Sequence, residues 1–248
     1  HRDLHSFPTR RSSDLREHAP NALTVGGGPI FTKLNANPRK AKAFFGTTLC
    51  DAFVLNQGER GFAELIGRFN ELGRNRKRLV EESVPGCLVN DLAGSGEVRF
   101  GAELDVLRNL DEIPSPYLSG LLDEFFDEPF VPMIETNRSC PYRCTFCAWG
   151  IGTGKLTTFS DERVLAEIDY IAQRCHKSAN IFIGDANFGI LERDQLIARR
   201  LRENHRKHGY PAHVGCQWNK TRPDRVLKVA RELSELSEVG ASMQSLDP

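Results

Sequence analysis

Three closely spaced cysteines, Cys140, Cys144 and Cys147, are the residues of this chain best suited to chemistry. Their C-x3-C-x2-C spacing places three thiolates in one short loop, and thiolates are the ligands that hold iron–sulfur clusters. Three thiolates can bind three irons of a [4Fe–4S] cluster and leave the fourth iron without a protein ligand. Such an iron can bind a small molecule, whereas an electron carrier has all four irons bound by cysteine.

A structural zinc site and a closed electron-transfer cluster are the alternatives for this loop. Zinc takes four tetrahedral ligands, usually from two separated pairs, and the sequence has no second pair. The remaining cysteines stand singly along the chain, and each is typical of a small buried apolar residue: Cys50, Cys87, Cys175 and Cys216. The spacing therefore favours the open iron–sulfur cluster.

The cysteine motif resembles that of the radical S-adenosylmethionine (SAM) superfamily. In that family the open iron binds the amino and carboxylate groups of SAM, and an electron from the cluster cleaves SAM to a 5′-deoxyadenosyl radical. The resemblance implies an enzyme in which Cys140, Cys144 and Cys147 hold a [4Fe–4S] cluster. It also implies SAM as a cofactor and an electron donor such as flavodoxin or ferredoxin.

Composition limits the other classes of function. With 248 residues and a formal net charge of +0, the chain is long enough for one large or two modest domains, and bulk charge would not hold a nucleic acid. We expect no membrane span, because no apolar run approaches the roughly 20 residues that a bilayer requires. Seven cysteines do not form a disulfide framework, which predicts a reducing, cytoplasmic setting.

Residues 1–15 show neither helical nor strand periodicity, and they resemble a translated sequencing adaptor. We expect them to be disordered and without an evolved function, and the true N-terminus to be missing. The prolines at 114 and 116 predict a stiff connector between two domains. These signals predict an α/β domain over 16–110, a linker over 111–129 and a barrel over 130–248.

The first domain is predicted to contain, in order, a strand, a glycine turn, a helix, a second strand and a second helix. This order predicts half of a doubly wound α/β domain. It resembles the C-terminal half of the cobalamin-binding domain that precedes many radical SAM barrels, which implies cobalamin contact at Gly26, Gly27 and Gly28. The same glycines also fit a simple tight turn. The family's cobalt-ligating histidine motif is absent from this sequence. The basic run 74–78 is typical of a solvated helix end.

In the second domain, the sequence pattern predicts parallel strands at 130–136, 180–183 and 213–217, separated by helices. Ser160 is expected to cap the helix after the first strand, with a buried stripe of Val164, Ile168, Ile171 and Cys175. By resemblance, this is the first part of a partial (β/α)6 TIM-like barrel, with a fourth strand beginning at 241–246. The fold class is therefore α/β, a partial Rossmann-like cobalamin-binding domain followed by a truncated radical SAM barrel.

The resemblance also implies SAM contacts at the strand ends. Gly184 and Asp185 occupy the place of the acidic, glycine-rich turn that binds the amino group of SAM, although Asp185 and Asn187 could be turn formers alone. Phe146 matches an aromatic residue whose backbone meets the adenine, or it packs under the loop. Ser242 and Gln244 fall where relatives present polar groups to ribose and methionine.

Three functions follow from these features. The first is a cobalamin-dependent radical SAM enzyme that methylates an unactivated carbon of a small-molecule substrate. The second is a radical SAM enzyme for cyclisation, rearrangement or sulfur insertion. The third is an iron–sulfur module without turnover. We expect this chain by itself to be inactive and not to retain corrinoid, because its cofactor sites are incomplete.

Overall fold

The structure, a computed structural model, describes residues 15, 17–28, 30–31, 36–142, 144, 147 and 155–240. The chain divides into two compact units, residues 1–107 and 108–248. The predicted fourth barrel strand and most of the stretch 1–15 lie outside the described residues.

The first unit is built on a four-stranded sheet in the order β1-β2-β3-β4. Strands β1 and β2 are parallel, whereas β2, β3 and β4 are antiparallel neighbours. Residues 85–100 alternate around Gly94 and Gly96, a sequence pattern that predicts a small hairpin, and β3 and β4 form this hairpin. The strands are β1 (Val25–Gly26), β2 (Ala52–Val54), β3 (Cys87–Asp91) and β4 (Glu97–Phe100).

Alternate residues of β2 point to opposite faces of the sheet, and both faces are buried. Helices therefore cover the sheet on both sides. Phe53 packs with the aromatic side chains of Phe31 and Phe45, whereas Ala52 and Val54 pack with a second cluster that contains Leu65. Asn37 caps the first helix, since its side chain accepts a hydrogen bond from the Lys40 backbone at 2.9 Å. The helices are α1 (Pro38–Thr47), α2 (Gly58–Glu71) and α3 (Arg76–Leu79).

The second unit contains a parallel sheet in the order β5-β8-β9, with helices between the strands, and a separate ribbon of β6 and β7. These are the β/α units that the sequence predicts. The strands are β5 (Met133–Ile134), β6 (Asn137–Arg138), β7 (Thr157–Thr158), β8 (Asn180–Phe188) and β9 (His213–Trp218). The helices are α4 (Asp161–Arg174), α5 (Asp194–His208) and α6 (Pro223–Glu232).

Helix α4 forms as its sequence predicts. The Ser160 hydroxyl accepts a hydrogen bond from the Arg163 backbone at 3.2 Å, which satisfies one of the free N–H groups in the first turn. The predicted stripe is buried, with Val164, Ile168 and Ile171 at most 1% exposed. Burial of such side chains contributes about 1.5 to 3 kcal/mol each.

The stretch 111–129 lies within the second unit. One 3₁₀ turn, Leu110–Glu112, overlaps its start, and a second, Asp123–Asp127, lies inside it. Tyr117 ties this stretch to β5, because its hydroxyl donates to the Met133 carbonyl at 2.7 Å and accepts from the Met133 N–H at 3.0 Å. The domain limits drawn from the sequence stay a prediction. Among the described helices, none is both long and apolar enough to cross a bilayer.

Candidate cofactor site

The cysteine loop leaves the sheet at the carboxyl end of β5 and is closed at its base by the β6–β7 ribbon. Asn137 pairs with Thr158 and Arg138 with Thr157. Ser139 follows with φ of 77°, a left-handed backbone conformation that costs a residue other than glycine about 1 kcal/mol or more. The chain thus turns sharply just before Cys140. This is the end of a β/α sheet at which such folds carry out chemistry.

Asp185 lies inside strand β8, which continues to Phe188. The prediction of a turn after Ile183 is therefore wrong, because β8 continues to alternate between half-buried and buried residues up to Asn187. The Asp185 side chain is 1% exposed. Its Oδ1 accepts the backbone N–H of Thr136 at 2.7 Å and that of Asn137 at 3.2 Å. Its Oδ2 accepts the Thr136 hydroxyl at 2.5 Å and the Asn137 amide at 2.6 Å.

The environment of Asp185 acts on its pKa in two directions. Burial raises the pKa of this carboxyl group above its ordinary value. The hydrogen bonds from Thr136 and Asn137, and the charge of Arg193, act against that rise because they stabilise the carboxylate. The predicted contact between Asp185 and SAM stays a prediction, and the observed partners are residues just ahead of the cysteine loop.

Two further contacts tie the loop to neighbouring strands. The Asn187 amide donates to Cys140 Sγ at 3.1 Å, and Asn187 is 5% exposed. The Tyr142 hydroxyl accepts the Asn219 amide at 3.1 Å and contacts the Thr221 hydroxyl, just after β9. The loop is therefore attached to β8 and to the end of β9 as well as to its own strand.

All seven cysteines are free of disulfides. In the candidate loop, Cys144 is exposed and Cys140 and Cys147 are half-buried. The described residues contain no group of three or more His, Cys, Asp or Glu side chains that could hold a metal ion as they stand. The convergence of the three thiols on a cluster stays a prediction. Their chemistry fits a cluster, because they are soft ligands on one loop and the first accepts an amide hydrogen bond.

Two of the cysteines outside the loop, Cys87 and Cys216, are less suited to binding metal. Desolvation raises the pKa of the Cys87 thiol to about 12, with a further contribution from the charge of Glu64. Desolvation, and then the charges of Asp185 and Asp194, also raise the pKa of Cys216 to about 12. Both thiols stay protonated at neutral pH, and the thiolate is the form that binds metal.

The other predicted SAM contacts are only partly described. Gly184 lies in β8 beside β5, and a Cβ added there would stand 3.4 Å from the Met133 sulfur and 3.5 Å from the Ile134 carbonyl oxygen. Its role toward SAM stays a prediction. Phe146, Ser242 and Gln244 lie outside the described residues.

The glycine run of the first unit has two different parts. A Cβ added to Gly26 would lie 2.8 Å from the Phe53 ring, so packing requires this glycine. Gly28 has φ of 102°, a conformation that favours glycine. Beside Gly27 and Gly28, no described atom lies within 4 Å of an added Cβ. None of the described residues fills the space beside these two glycines, and the cobalamin contact stays a prediction.

Four residues of the observed site were not predicted from the sequence: Thr136, Asn137, Asn187 and Asn219. The alternation of β8 was a usable signal for Asn187, since residues 185 and 187 of one strand lie on the same face. Thr136 and Asn137 gave no such signal, because their partner lies 48 or 49 residues later in the chain.

The fold and site together define a partial β/α barrel with a cysteine loop at the carboxyl end of its first strand. Residues 134–248 match the model of the Radical SAM superfamily. The segment 134–248 is therefore a Radical SAM superfamily domain, and the predicted α/β class with a partial radical SAM barrel is confirmed.

The chain is similar to cobalamin-dependent radical SAM methyltransferase TokK of Streptomyces tokunonensis, with 34% identity over 94% of this chain and 34% of TokK. It is similar to 2-(S-pantetheinyl)-carbapenam-3-carboxylate methyltransferase of Streptantibioticus cattleyicolor, with 33% identity and the same coverage. The chain spans about a third of the length of these curated relatives. The predicted relationship to cobalamin-associated radical SAM proteins is confirmed.

A solved structure has the same fold. It is radical S-adenosylmethionine methyltransferase TsrM from Kitasatospora setae, determined with tryptophan substrate and the SAM analogue aza-SAM. The TM-score is 0.53, the identity is 16%, and the match covers 92% of this chain and 51% of TsrM. At this identity the likeness shows the fold alone.

Proposed function

We propose that this chain is part of a radical SAM enzyme in which Cys140, Cys144 and Cys147 hold a [4Fe–4S] cluster. The observation that carries the proposal is the three-cysteine loop at the carboxyl end of β5, within a segment that matches the superfamily. When bound, the cluster supplies an open iron for SAM and the electron that cleaves it. The chain's own contribution is to hold the thiols in one loop through β6, β7 and Asn187.

SAM binding is proposed at the strand ends that surround this loop. Gly184, with Phe146, Ser242 and Gln244, supplies the predicted contacts. Gly184 supports this role because a residue without a side chain leaves backbone groups open to a ligand. Asp185 was predicted for the amino group of SAM, but four donors of this chain already occupy its two oxygens. A carboxylate has about four acceptor sites, so its present contacts support a different role.

We propose cobalamin-dependent methyl transfer as the reaction of the whole protein. The similarity to TokK, a cobalamin-dependent radical SAM methyltransferase, supports this proposal, and so do the open backbone positions at Gly27 and Gly28. The second relative acts, by its name, on a carbapenam carboxylate. From these names we take only the class of substrate, a small molecule. An electron donor such as flavodoxin or ferredoxin and a cytoplasmic setting belong to the same proposal.

Anaerobic reconstitution with iron and sulfide tests the cluster. We expect about four irons per chain, and SAM should change the electron paramagnetic resonance spectrum of the reduced cluster. Cys140→Ala, Cys144→Ala and Cys147→Ala should each lose most of the iron. Cys175→Ala is the matched control, since it removes a buried thiol from the same unit. Full iron content in any of the three loop variants would contradict the proposal.

Equilibrium titration of the whole protein with hydroxocobalamin tests the cobalamin part, because this chain by itself is not expected to retain corrinoid. Gly27→Val should weaken binding at least about tenfold, because its side chain would occupy space that is open in the structure. Gly67→Ala on α2 is the control, since its added Cβ also meets no described atom. Equal affinities in the two variants would remove the glycine run from the proposed corrinoid site.

A further inference from the structure

One face of strand β8 is directed at the start of the cysteine loop. Asp185 and Asn187 share that face, and both side chains are at least nine-tenths buried. Asp185 reaches Thr136 and Asn137, which precede the loop, and Asn187 reaches Cys140 within it. Both side chains therefore act on the segment 136–140.

We propose that Asp185 and Asn187 are positioning residues for the cysteine loop, Asp185 by fixing its first residues and Asn187 by hydrogen bonding to Cys140. The Asn187 part rests on the proposed function, since it concerns a cysteine that would bind the cluster. The Asp185 part concerns the chain without iron. The two parts can therefore be tested separately.

Asp185 is suited to fixing the loop because all four of its bonds go to two consecutive residues. Two of the donors are backbone N–H groups, which no side-chain substitution at 136 or 137 can remove. The other two are the Thr136 hydroxyl and the Asn137 amide, which orient the side chains of the same segment. Loss of the carboxylate would leave buried donors without acceptors, which is costly.

The hydrogen bonds of Asp185 to Thr136 and Asn137 affect the cysteines because the chain turns sharply between Asn137 and Cys140. Ser139 adopts a left-handed backbone conformation, and such a residue is kept only where its surroundings hold it. The segment before it is fixed by Asp185, and the residue after it is held by Asn187. The turn that presents Cys140 is thus held on both sides from β8.

The bond from Asn187 to sulfur has an electronic consequence when an iron–sulfur cluster is bound. Hydrogen bonds to cluster sulfurs are one of the factors that set the reduction potential. A donor that points at a thiolate stabilises negative charge there, and reduction adds negative charge to the cluster. Asn187 should therefore raise the reduction potential of a cluster held by Cys140.

Hydrogen exchange in the iron-free chain tests the Asp185 part. In Asp185→Asn, one oxygen becomes an amide donor that faces the Asn137 amide donor. We expect the amide protons of 136 and 137 to exchange at least about tenfold faster than in the unchanged chain. Asp194→Asn is the matched control, because Asp194 is an equally buried aspartate that accepts from Gly189 and Leu191 instead. It should speed exchange at 189–191 and leave 136–137 unchanged.

Thr136→Val is a second variant for the case in which Asp185→Asn does not fold. It removes one donor to Asp185 and keeps the shape of the side chain, so it should speed exchange at 136–137 by a smaller factor. Unchanged exchange in the folded variants would overturn the proposal. So would a loss of SAM affinity in Asp185→Asn with normal exchange, since that outcome would assign Asp185 to the cofactor.

A redox titration of the reconstituted chain tests the Asn187 part. Asn187→Leu should keep the iron and shift the reduction equilibrium about tenfold toward the oxidised cluster, equal to about 59 mV for a one-electron couple. Asn204→Leu is the control, because Asn204 is a buried asparagine of the same unit whose amide donates to Asp169. Equal potentials in Asn187→Leu and the unchanged chain would overturn this part. Failure of the unchanged chain to bind iron would count against the proposed function and leave the exchange experiment to decide the role of Asp185.

Discussion

The two units hold their buried aspartates by different means, and the first unit uses arginine. Asp91 lies 2.5 Å from the Arg99 guanidinium, and Asp51 lies 3.3 Å from that of Arg76. Hydrogen bonds from Ser95 and Arg99 hold the pKa of Asp91 below its ordinary value, against the effect of desolvation. Asp91 therefore stays charged, and in both pairs an arginine of the same unit supplies the opposite charge.

The second unit holds its buried aspartates mainly with neutral donors. Asp185 accepts from Thr136 and Asn137, and Asp194 accepts the backbone N–H groups of Gly189 and Leu191 at 2.8 and 2.9 Å. Desolvation raises the pKa of both groups above the ordinary value. Among the described residues neither of these two carboxylates forms an ion pair, although the charge of Arg193 acts to lower the pKa of both.

This difference separates two uses of a buried aspartate. An arginine pair fixes a hairpin or a strand and leaves little net charge. Neutral donors fix a loop and leave the charge and the protonation state sensitive to the surroundings. The second kind lies at the carboxyl ends of parallel strands, where the candidate site is. Glu167 on α4 is paired with Arg163, so the contrast concerns the aspartates and not every acid of the unit.

The largest expected effect is the pH dependence that Asp194 contributes to stability. Burial raises its pKa to about 6, so between about pH 4 and pH 6 the folded chain binds more protons than the unfolded chain. The free energy of unfolding from this group therefore falls as pH rises through that window, by at most about 3 kcal/mol. Asp194→Asn cannot titrate and should lack this fall.

Tryptophan fluorescence in urea measures this difference for the second unit alone, because both tryptophans, Trp149 and Trp218, lie in it. The stability of Asp194→Asn relative to the unchanged chain should increase from pH 4.5 to pH 7.5. A difference that does not change with pH would show that Asp194 stays charged in the folded chain, as Asp91 does.

The sequence predicted the parts of the second unit that depend on local patterns. Ser160 and the stripe from Val164 to Ile171 predicted α4, because cap and periodicity agree in one segment. The position of the cysteine loop followed from one strand and its motif. The partners of Asp185 could not be predicted in this way, because they depend on which strand lies next to β8 in the sheet.

In the first unit, too, local patterns were predictable from the sequence and contacts between separate segments were not. The strand and helix pattern predicted parallel neighbours β1 and β2, and the glycines at 94 and 96 predicted the β3–β4 hairpin. The antiparallel pairing of β2 with β3 is a contact between separate segments, which periodicity does not specify. For the same reason the basic run 74–78 was predicted to be solvated, whereas Arg76 pairs with Asp51.

A double-mutant cycle on Asp91 and Arg99 tests the ion-paired side of the comparison. We expect a coupling energy of about 1 to 2 kcal/mol, since the Asp91 side chain is 3% exposed and water screens the 37% exposed Arg99. The variants are Asp91→Asn, Arg99→Gln and the double variant. Hydrogen exchange of the β3 amides is the measurement, because the first unit contains neither tryptophan nor tyrosine. A coupling near zero would mean that Ser95 alone determines the state of Asp91.

The smallest effect is expected at Arg76, whose pairing with Asp51 is longer than that of Arg99 with Asp91 and less buried on the aspartate side. Arg76→Gln should destabilise the β1–β2 pair by about 0.5 to 1 kcal/mol, because Asp51 also accepts the Thr24 N–H at 2.8 Å and the Thr24 hydroxyl at 2.9 Å. Arg78→Gln, an exposed position on the same short helix, is the control and should change the exchange of the β2 amides by less. Salt at 1 M should remove most of the difference between the two variants, since screening weakens a partly exposed pair. A difference that persists at 1 M salt would mean that Arg76 holds Asp51 as firmly as Arg99 holds Asp91. No difference at low salt would mean that neutral donors hold Asp51. In that case the contrast between the two units would depend on Asp91 alone.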